Sequence, residues 1–355
     1  MNNPKIAVLI ILSIIVRIVR CNPELKLVQV LFRHGDRAPN PGYEKWYPTD
    51  PYINERYAPV GLGGLTEEGS RRSFELGQFL RERYFSKLQM SEYSESVFRV
   101  RSSDIDRCRK SAEALVSALF PDTKSMPIYQ NQLFKDPLFV GVFICPVARS
   151  EKARAERFMR HGDERWSNLY EYLSRHLGVN ATRHHAFILH HTLMAQRSFG
   201  LTLPNWTRQI YPSEELETNA GFEYILQSYN TKLKRINGGL WIREFLENMD
   251  NSISGKDRAK MLVYAGHETN VAGFLTALDI FKPHVPDFCS CLILEMYEDP
   301  RSVRERYVRL FYKKSESLEE LHIPGCSVPC SLKDFRILTD HLTPQNTDQE
   351  CGLAV

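Results

Sequence analysis

The chain has 355 residues, 43% of them hydrophobic and 25% charged, which allows two packed units or one large one with a sizeable core. Forty-six Lys and Arg against forty-three Asp and Glu leave a formal charge of only +3. There are no long basic runs of the kind a phosphate-backbone binder shows, so nucleic acid is excluded as the expected partner.

At the N-terminus, Lys5 precedes an apolar run from Ile6 to Val16 that Arg17 ends. Those are the proportions of a signal peptide at residues 1–21, too short to span a bilayer. The alternatives at this point are a buried element or an uncleaved anchor reaching Val19. No later segment has eighteen uninterrupted apolar residues, so no membrane span is expected in the mature chain. Eight cysteines and two glycosylation sequons, at Asn180 and Asn205, agree with export to an oxidising compartment. If Cys21 leaves with the leader, at least one of the seven remaining cysteines is unpaired or intermolecular.

Leu25 to Phe32 is a nearly continuous apolar run, the pattern of a strand covered on both faces, and it leads into Arg33-His34-Gly35-Asp36-Arg37-Ala38-Pro39. A Pro, Gly and Tyr-rich loop runs to Gly64. Thr66 followed by Glu67 and Glu68 then predicts a helix start, with Phe74, Gly77, Leu80 and Tyr84 as the inner stripe. Ser96 to Arg101 predicts a second strand, with Ser102, Ser103 and Asp104 capping a helix to Leu119. From Gly141 to Asn251 the chain reads as charged, His-rich helices without a clear strand, which suggests a helical insertion. Met261 to Ala265 is a third strand, followed by Gly266-His267-Glu268 and a helix through Leu278. Cys291 to Tyr297 and Tyr307 to Tyr312 close the series as strands.

Three strands thus end in residues of catalytic type: Arg33, His34 and Arg37, then Arg101, then His267 and Glu268. In an open α/β sheet, ligands bind at the carboxyl ends of strands. Arginine forks bind phosphate oxygens, a neutral histidine can attack phosphorus, and a carboxylic acid can protonate a departing alkoxide. Three arginines could neutralise a phosphoryl group without a metal.

Arg33 to Pro39 resembles the signature of the histidine acid phosphatases, Arg101-Ser102-Ser103-Asp104 resembles their second phosphate-binding motif, and Tyr264 to Thr269 sits where they carry a histidine and acid pair. The five fixed residues of Arg-His-Gly-x-Arg-x-Pro should arise by chance about once in ten thousand chains. Tyr47 to Asn54 looks closest to the insect venom, lysosomal and prostatic branches. The resemblance implies a phosphoglycerate-mutase-like α/β core, residues 22–140 and 252–355, with an inserted mostly α-helical cap at 141–251. It also implies a secreted or lysosomal phosphatase acting on phosphate monoesters, with no cofactor, in a homodimer. His34 would be the nucleophile, Glu268 the proton donor, and Arg33, Arg37, Arg101 and His267 the phosphate ligands. Close relatives carry aspartate where this chain has Glu268, one methylene longer, so the carboxyl lies about 1.5 Å further out. The resemblance pairs Cys145 with Cys351 and Cys326 with Cys330. It leaves open whether Cys291 joins Cys108 or Cys289.

Plainer readings stand beside these. His34 could be a structural histidine, Arg101 a surface residue paired with Asp104 or Asp106, and Glu268 a first-turn acid favouring its helix. Arg160-His161-Gly162-Asp163 repeats part of the signature but follows a charged stretch with no strand to aim it, and reads as a solvated helix or turn. His184-His185 and His190-His191 lack companion ligands at metal spacing. Cys330 to Arg336 has the spacing of a cysteine phosphatase but no glycine to cradle phosphate, so a disulfide is the better reading. From another class, a secreted binding protein on a phosphatase scaffold remains the alternative.

Overall fold

A computed structural model describes residues 23–159, 164–300 and 302–353. The leader at 1–21 and the repeated signature at Arg160 to Asp163 lie outside the described residues. At the centre is an eight-stranded sheet: β1 (Glu24–Arg33), β2 (Phe98–Ser102), β3 (Ile128–Tyr129), β4 (Met261–Gly266), β5 (Cys291–Asp299), β6 (Ser302–Lys314), β7 (Ser317–Leu321) and β8 (Cys330–Ser331). Its order is β3-β2-β4-β1-β5-β6-β7, with β8 paired to β6.

β1 lies parallel to β4, and β4 parallel to β2. The register sets Arg33 opposite Gly266 and Ser102 opposite Ala265, so these three strands end at one edge and deliver their following residues to the same place. The unbroken apolar run of β1 has the expected cause. Leu27 and Leu31 pack on one face with Trp241, Phe245 and Phe274, while Val28, Val30 and Phe32 pack on the other with Leu80, Tyr84 and Leu115.

On that second face lie α1 (Glu67–Leu88) and α2 (Asp106–Leu119). The Thr66 hydroxyl accepts from the Gly69 N–H, as the helix-start reading expects. Gly77 sits against α2 so closely that a Cβ there would stand 2.3 Å from the Leu115 carbonyl oxygen. Phe74, read as part of the inner stripe, is instead exposed. Leu76 and Ser73 take the inward positions, because a helix turns about 100° per residue and the contact with α2 selects the Ser73-Leu76-Gly77-Leu80-Tyr84 face. The proposed caps of α2 also differ. Ser102 still belongs to β2, the cap position falls on Ile105, and the Ser103 hydroxyl is engaged elsewhere.

Between α2 and β4 the chain forms α3 (Pro137–Ile144), α4 (Pro146–Met159), α5 (Ser167–Leu177), α6 (Arg183–Ser198), α7 (Glu214–Leu226), α8 (Thr231–Lys234) and α9 (Leu240–Ile253). α5 and α6 share a separate apolar cluster of Leu169, Leu173, Leu177, Leu189 and Leu193. α9, by contrast, packs Trp241, Phe245 and Met249 on the sheet, although it falls in the stretch read as cap. α10 (Glu268–Ala277) follows β4, and α11 (Leu332–Thr339) and α12 (Thr347–Cys351) end the chain. Disulfides join Cys145 to Cys351 and Cys326 to Cys330, while Cys108, Cys289 and Cys291 are free, so neither pairing left open for Cys291 forms. No helix among the described residues is long and apolar enough to cross a membrane.

Candidate active site

Arg33, the last residue of β1, is fully buried, with its Nη1 donating to the Pro286 carbonyl at 2.6 Å and its guanidinium 4.1 Å from the Phe288 ring centre. His34 follows at the strand end. Its backbone N–H is held by the Gly266 carbonyl, and the next N–H, of Gly35, by the Ser111 hydroxyl. Gly35 passes so close to α1 that a Cβ would stand 2.2 Å from the Gly69 carbonyl oxygen, so no larger residue fits after His34.

Two hydrogen bonds define the His34 ring. Its Nδ1 lies 2.8 Å from the Gly35 carbonyl, which can only accept, so Nδ1 carries the proton. Its Nε2 lies 2.9 Å from the Arg107 Nε, which can only donate, so Nε2 presents a lone pair. Burial first, and then Arg107, Arg33, His267 and Arg37, push the His34 pKa well below its usual value. Burial and the surrounding cations thus favour the neutral ring, with Nε2 as its unprotonated nitrogen.

Arg37 is fully buried and forms a fork-to-fork pair with Glu44 at 2.7 and 2.8 Å. Arg33 Nη2 and Arg37 Nε are buried without a hydrogen-bond partner. His267 stands edge-on to His34 with ring centres 5.7 Å apart, and its Nε2 lies 3.0 Å from the Ser103 hydroxyl. Burial lowers its pKa to about 3, helped by Arg107 and opposed by Glu268. Glu268 opens α10, and its carboxylate is 3.1 Å from Arg33 Nε. Burial alone would raise that carboxyl, but Arg33, His191, His267 and Arg37 outweigh it and hold it well below the usual carboxylate range.

Arg33, His34, Arg37, His267 and Glu268 thus come together; Arg101 does not. Its Nη2 donates to both oxygens of buried Asp136 at 2.8 Å, and its guanidinium lies beside Phe139. The third guanidinium at His34 belongs to Arg107, six residues later and in the first turn of α2. A cation in a first turn opposes the helix dipole. That local cost is the signal that Arg107 leaves in the sequence.

Beside His267 and Glu268 opens a cleft of about 790 Å³ lined also by Tyr43, Leu62, Arg107 and Phe143. A second cavity, of about 960 Å³, is lined by Asp36, Arg72, Met194 and Phe288 and not by Arg107, His267 or Glu268. Among the described residues no three His, Cys, Asp or Glu side chains gather as metal ligands. His190 and His191 are buried on α6, the latter with Nε2 3.1 Å from the Tyr224 hydroxyl. Cys330, the cysteine of the alternative phosphatase loop, is held in its disulfide.

The sequence model described as Histidine phosphatase superfamily (branch 2) matches residues 24–313. The chain belongs to this superfamily. Among similar histidine phosphatases, Venom acid phosphatase Acph-1 of Apis mellifera is 33% identical, over 96% of this chain and 91% of its own. The lysosomal acid phosphatase of Homo sapiens is 30% identical over 93% and 81%. The phytase of Citrobacter braakii superposes with a TM-score of 0.70 at 20% identity, over 92% of this chain and 99% of that one, a likeness of fold.

Proposed function

We propose that this histidine phosphatase is an acid phosphatase that hydrolyses phosphate monoesters through a phosphohistidine on His34. One observation carries the reading: with the proton fixed on Nδ1, the His34 Nε2 lone pair faces the Arg107 Nε, and Arg33 and Arg37 lie close enough to act on the ring as well. In the first step Nε2 bonds to phosphorus, the ester P–O bond breaks, and the leaving oxygen takes the Glu268 proton. In the second, water attacks the phosphohistidine, its proton passes to Glu268, and the P–N bond breaks to release phosphate. Three guanidiniums balance the phosphoryl charge, so the reading asks for no metal or other cofactor. Arg107 replaces Arg101 in the phosphate-binding role, beside Arg33, Arg37 and His267.

The reading extends to export, to the lysosome or outside the cell, with glycans on Asn180 and Asn205, both exposed. It includes a homodimer and a division into an α/β core and a cap, with Phe143 of α3 lining the cleft beside His267 and Glu268.

The deciding experiment is rapid acid-free quenching of the enzyme with a radiolabelled phosphate monoester. Label is expected on the peptide containing His34, stable to alkali and lost in acid. Turnover without any such labelled peptide would overturn the mechanism.

Arg107→Ala and Arg101→Ala separate the two arginines. Losing Arg107 removes a charged donor at the reacting atoms and should cut kcat/KM by about 10² to 10³. Losing Arg101 strips Asp136 of its partner, and is expected to lower the melting temperature while kcat stays within about threefold. The opposite ranking in a p-nitrophenyl phosphate assay would restore Arg101 to the site.

A further inference from the structure

Arg37 meets a carboxylate before it meets any substrate. Glu44 comes from the Pro, Gly and Tyr-rich loop after β1, and its side chain is completely buried. Both its oxygens are taken: Arg37 donates from Nη1 and Nη2, and Asn40 donates from its backbone N–H at 2.8 Å and its side-chain Nδ2 at 3.1 Å. The loop is tied to the cap as well, because the Thr192 hydroxyl on α6 donates to the Glu44 carbonyl. We propose that Glu44 is a positioning residue that fixes Arg37 by its terminal nitrogens and sets the pocket's charge so that it closes on a phosphate monoester carrying one proton.

The first half follows from the hydrogen bonds. With Nη1 held by Glu44 and the Ala38 carbonyl and one Nη2 hydrogen held by Glu44, Arg37 has its buried, unpartnered Nε and the second Nη2 hydrogen to offer a phosphate oxygen, and cannot swing away. The second half follows from charge. The groups facing Glu44 are Arg37, Asn40 and Tyr43 from its own segment and His191 and Thr192 from α6. Those facing Glu268 are Arg33, His191, His267 and Arg37, with Arg107, Tyr43, Tyr224 and Cys108. Burial keeps the histidines neutral, with His191 lowered to about 4 and His267 to about 3. Three guanidiniums against the Glu44 and Glu268 carboxylates leave one net positive charge. A monoanionic ester neutralises that pocket, whereas a dianion leaves an uncompensated negative charge in a buried site.

The chemistry has a use for the extra proton. Glu268 is held ionised in the free site, yet it must be an acid when the ester bond breaks. Once phosphate oxygens occupy the arginines, their hold on Glu268 weakens, and the proton brought by the monoanion can pass to that carboxylate. Glu44 thereby couples substrate protonation to the delivery of a general acid. It does so only if the arginine cluster binds the ester phosphate, as proposed above.

Calorimetric titration of the purified enzyme with inorganic phosphate at about pH 8, where the ion is mostly dianionic, tests this in buffers of different ionisation enthalpy. The parent is expected to take up close to one proton per phosphate bound. Glu44→Gln should take up almost none, bind phosphate about tenfold tighter at that pH, and lose kcat more than it raises KM. Glu44→Asp, which keeps the charge but draws the carboxylate back by about 1.5 Å from Arg37, should keep the proton uptake while losing kcat. Uptake near zero in the parent, or undiminished uptake in the glutamine variant, would overturn the inference. Should Glu44→Gln fail to fold, the parent's uptake and the aspartate variant decide. Failure of phosphate to bind at all, with full activity in His34→Ala, would instead discard the underlying reading of the site.

Discussion

Replacing His34 with alanine is expected to abolish turnover of p-nitrophenyl phosphate, with a loss of about a millionfold, the scale on which covalent nucleophiles are missed elsewhere. No other residue can take over. Cys108 is buried 3.8 Å from His267 and donates to the Gly266 carbonyl, and Cys289 gives its backbone N–H to the His34 carbonyl; burial pushes both thiols up to about 12, so neither presents a thiolate. His267 is engaged with Ser103 through its Nε2 and caps the start of α10. The arginines survive the substitution, so phosphate should still raise the melting temperature of the variant. That separates loss of chemistry from loss of fold. An alanine variant within a hundredfold of the parent would remove His34 from the mechanism.

What could be read from the amino acids was the part whose pattern is local. β1 declares itself because a strand buried on both faces must be apolar throughout, and its end is marked by the polar cluster that follows. The same holds for β4 and the His267-Glu268 pair. Residues whose role depends on distant packing were misplaced or missed. Arg101 lies one residue before the end of its strand, but pleating turns it toward Asp136, while Arg107 reaches His34 from a helix whose cap is Ile105, one to three residues beyond the caps expected. Phe74 missed the inner face because the stripe of α1 is chosen by the close contact at Gly77, which no hydropathy pattern reveals. Glu44 had no periodic signal at all, lying in an irregular loop among Pro, Gly and Tyr. Only the folded chain shows that a lone acid there is buried against an arginine of the signature.

Glu268→Gln should divide substrates by their leaving groups. An alkoxide is a poor leaving group and needs a proton as the P–O bond breaks, so general acid catalysis is worth about 10² to 10⁴. A p-nitrophenolate leaves as a stable anion. For an alkyl phosphate, kcat/KM, which reports the first step from free enzyme and substrate, should therefore fall by about that factor; for p-nitrophenyl phosphate it should fall less than about tenfold. The second step is common to both, and there the same carboxylate takes the proton from water. On the aryl ester the glutamine variant should accordingly release a burst of p-nitrophenol equal to the enzyme present and then turn over slowly, with phosphohistidine accumulating. Glu268→Asp, whose carboxyl is drawn back by about 1.5 Å, loses the 3.1 Å approach to Arg33 but keeps the acid, and is expected to retain activity on both esters. If Glu268 served only to favour the start of α10, glutamine would cost a few tenths to about 1 kcal/mol of stability and leave both kcat/KM values alike. Equal kinetics on the two esters would assign it that role and leave the proton donor to be found elsewhere.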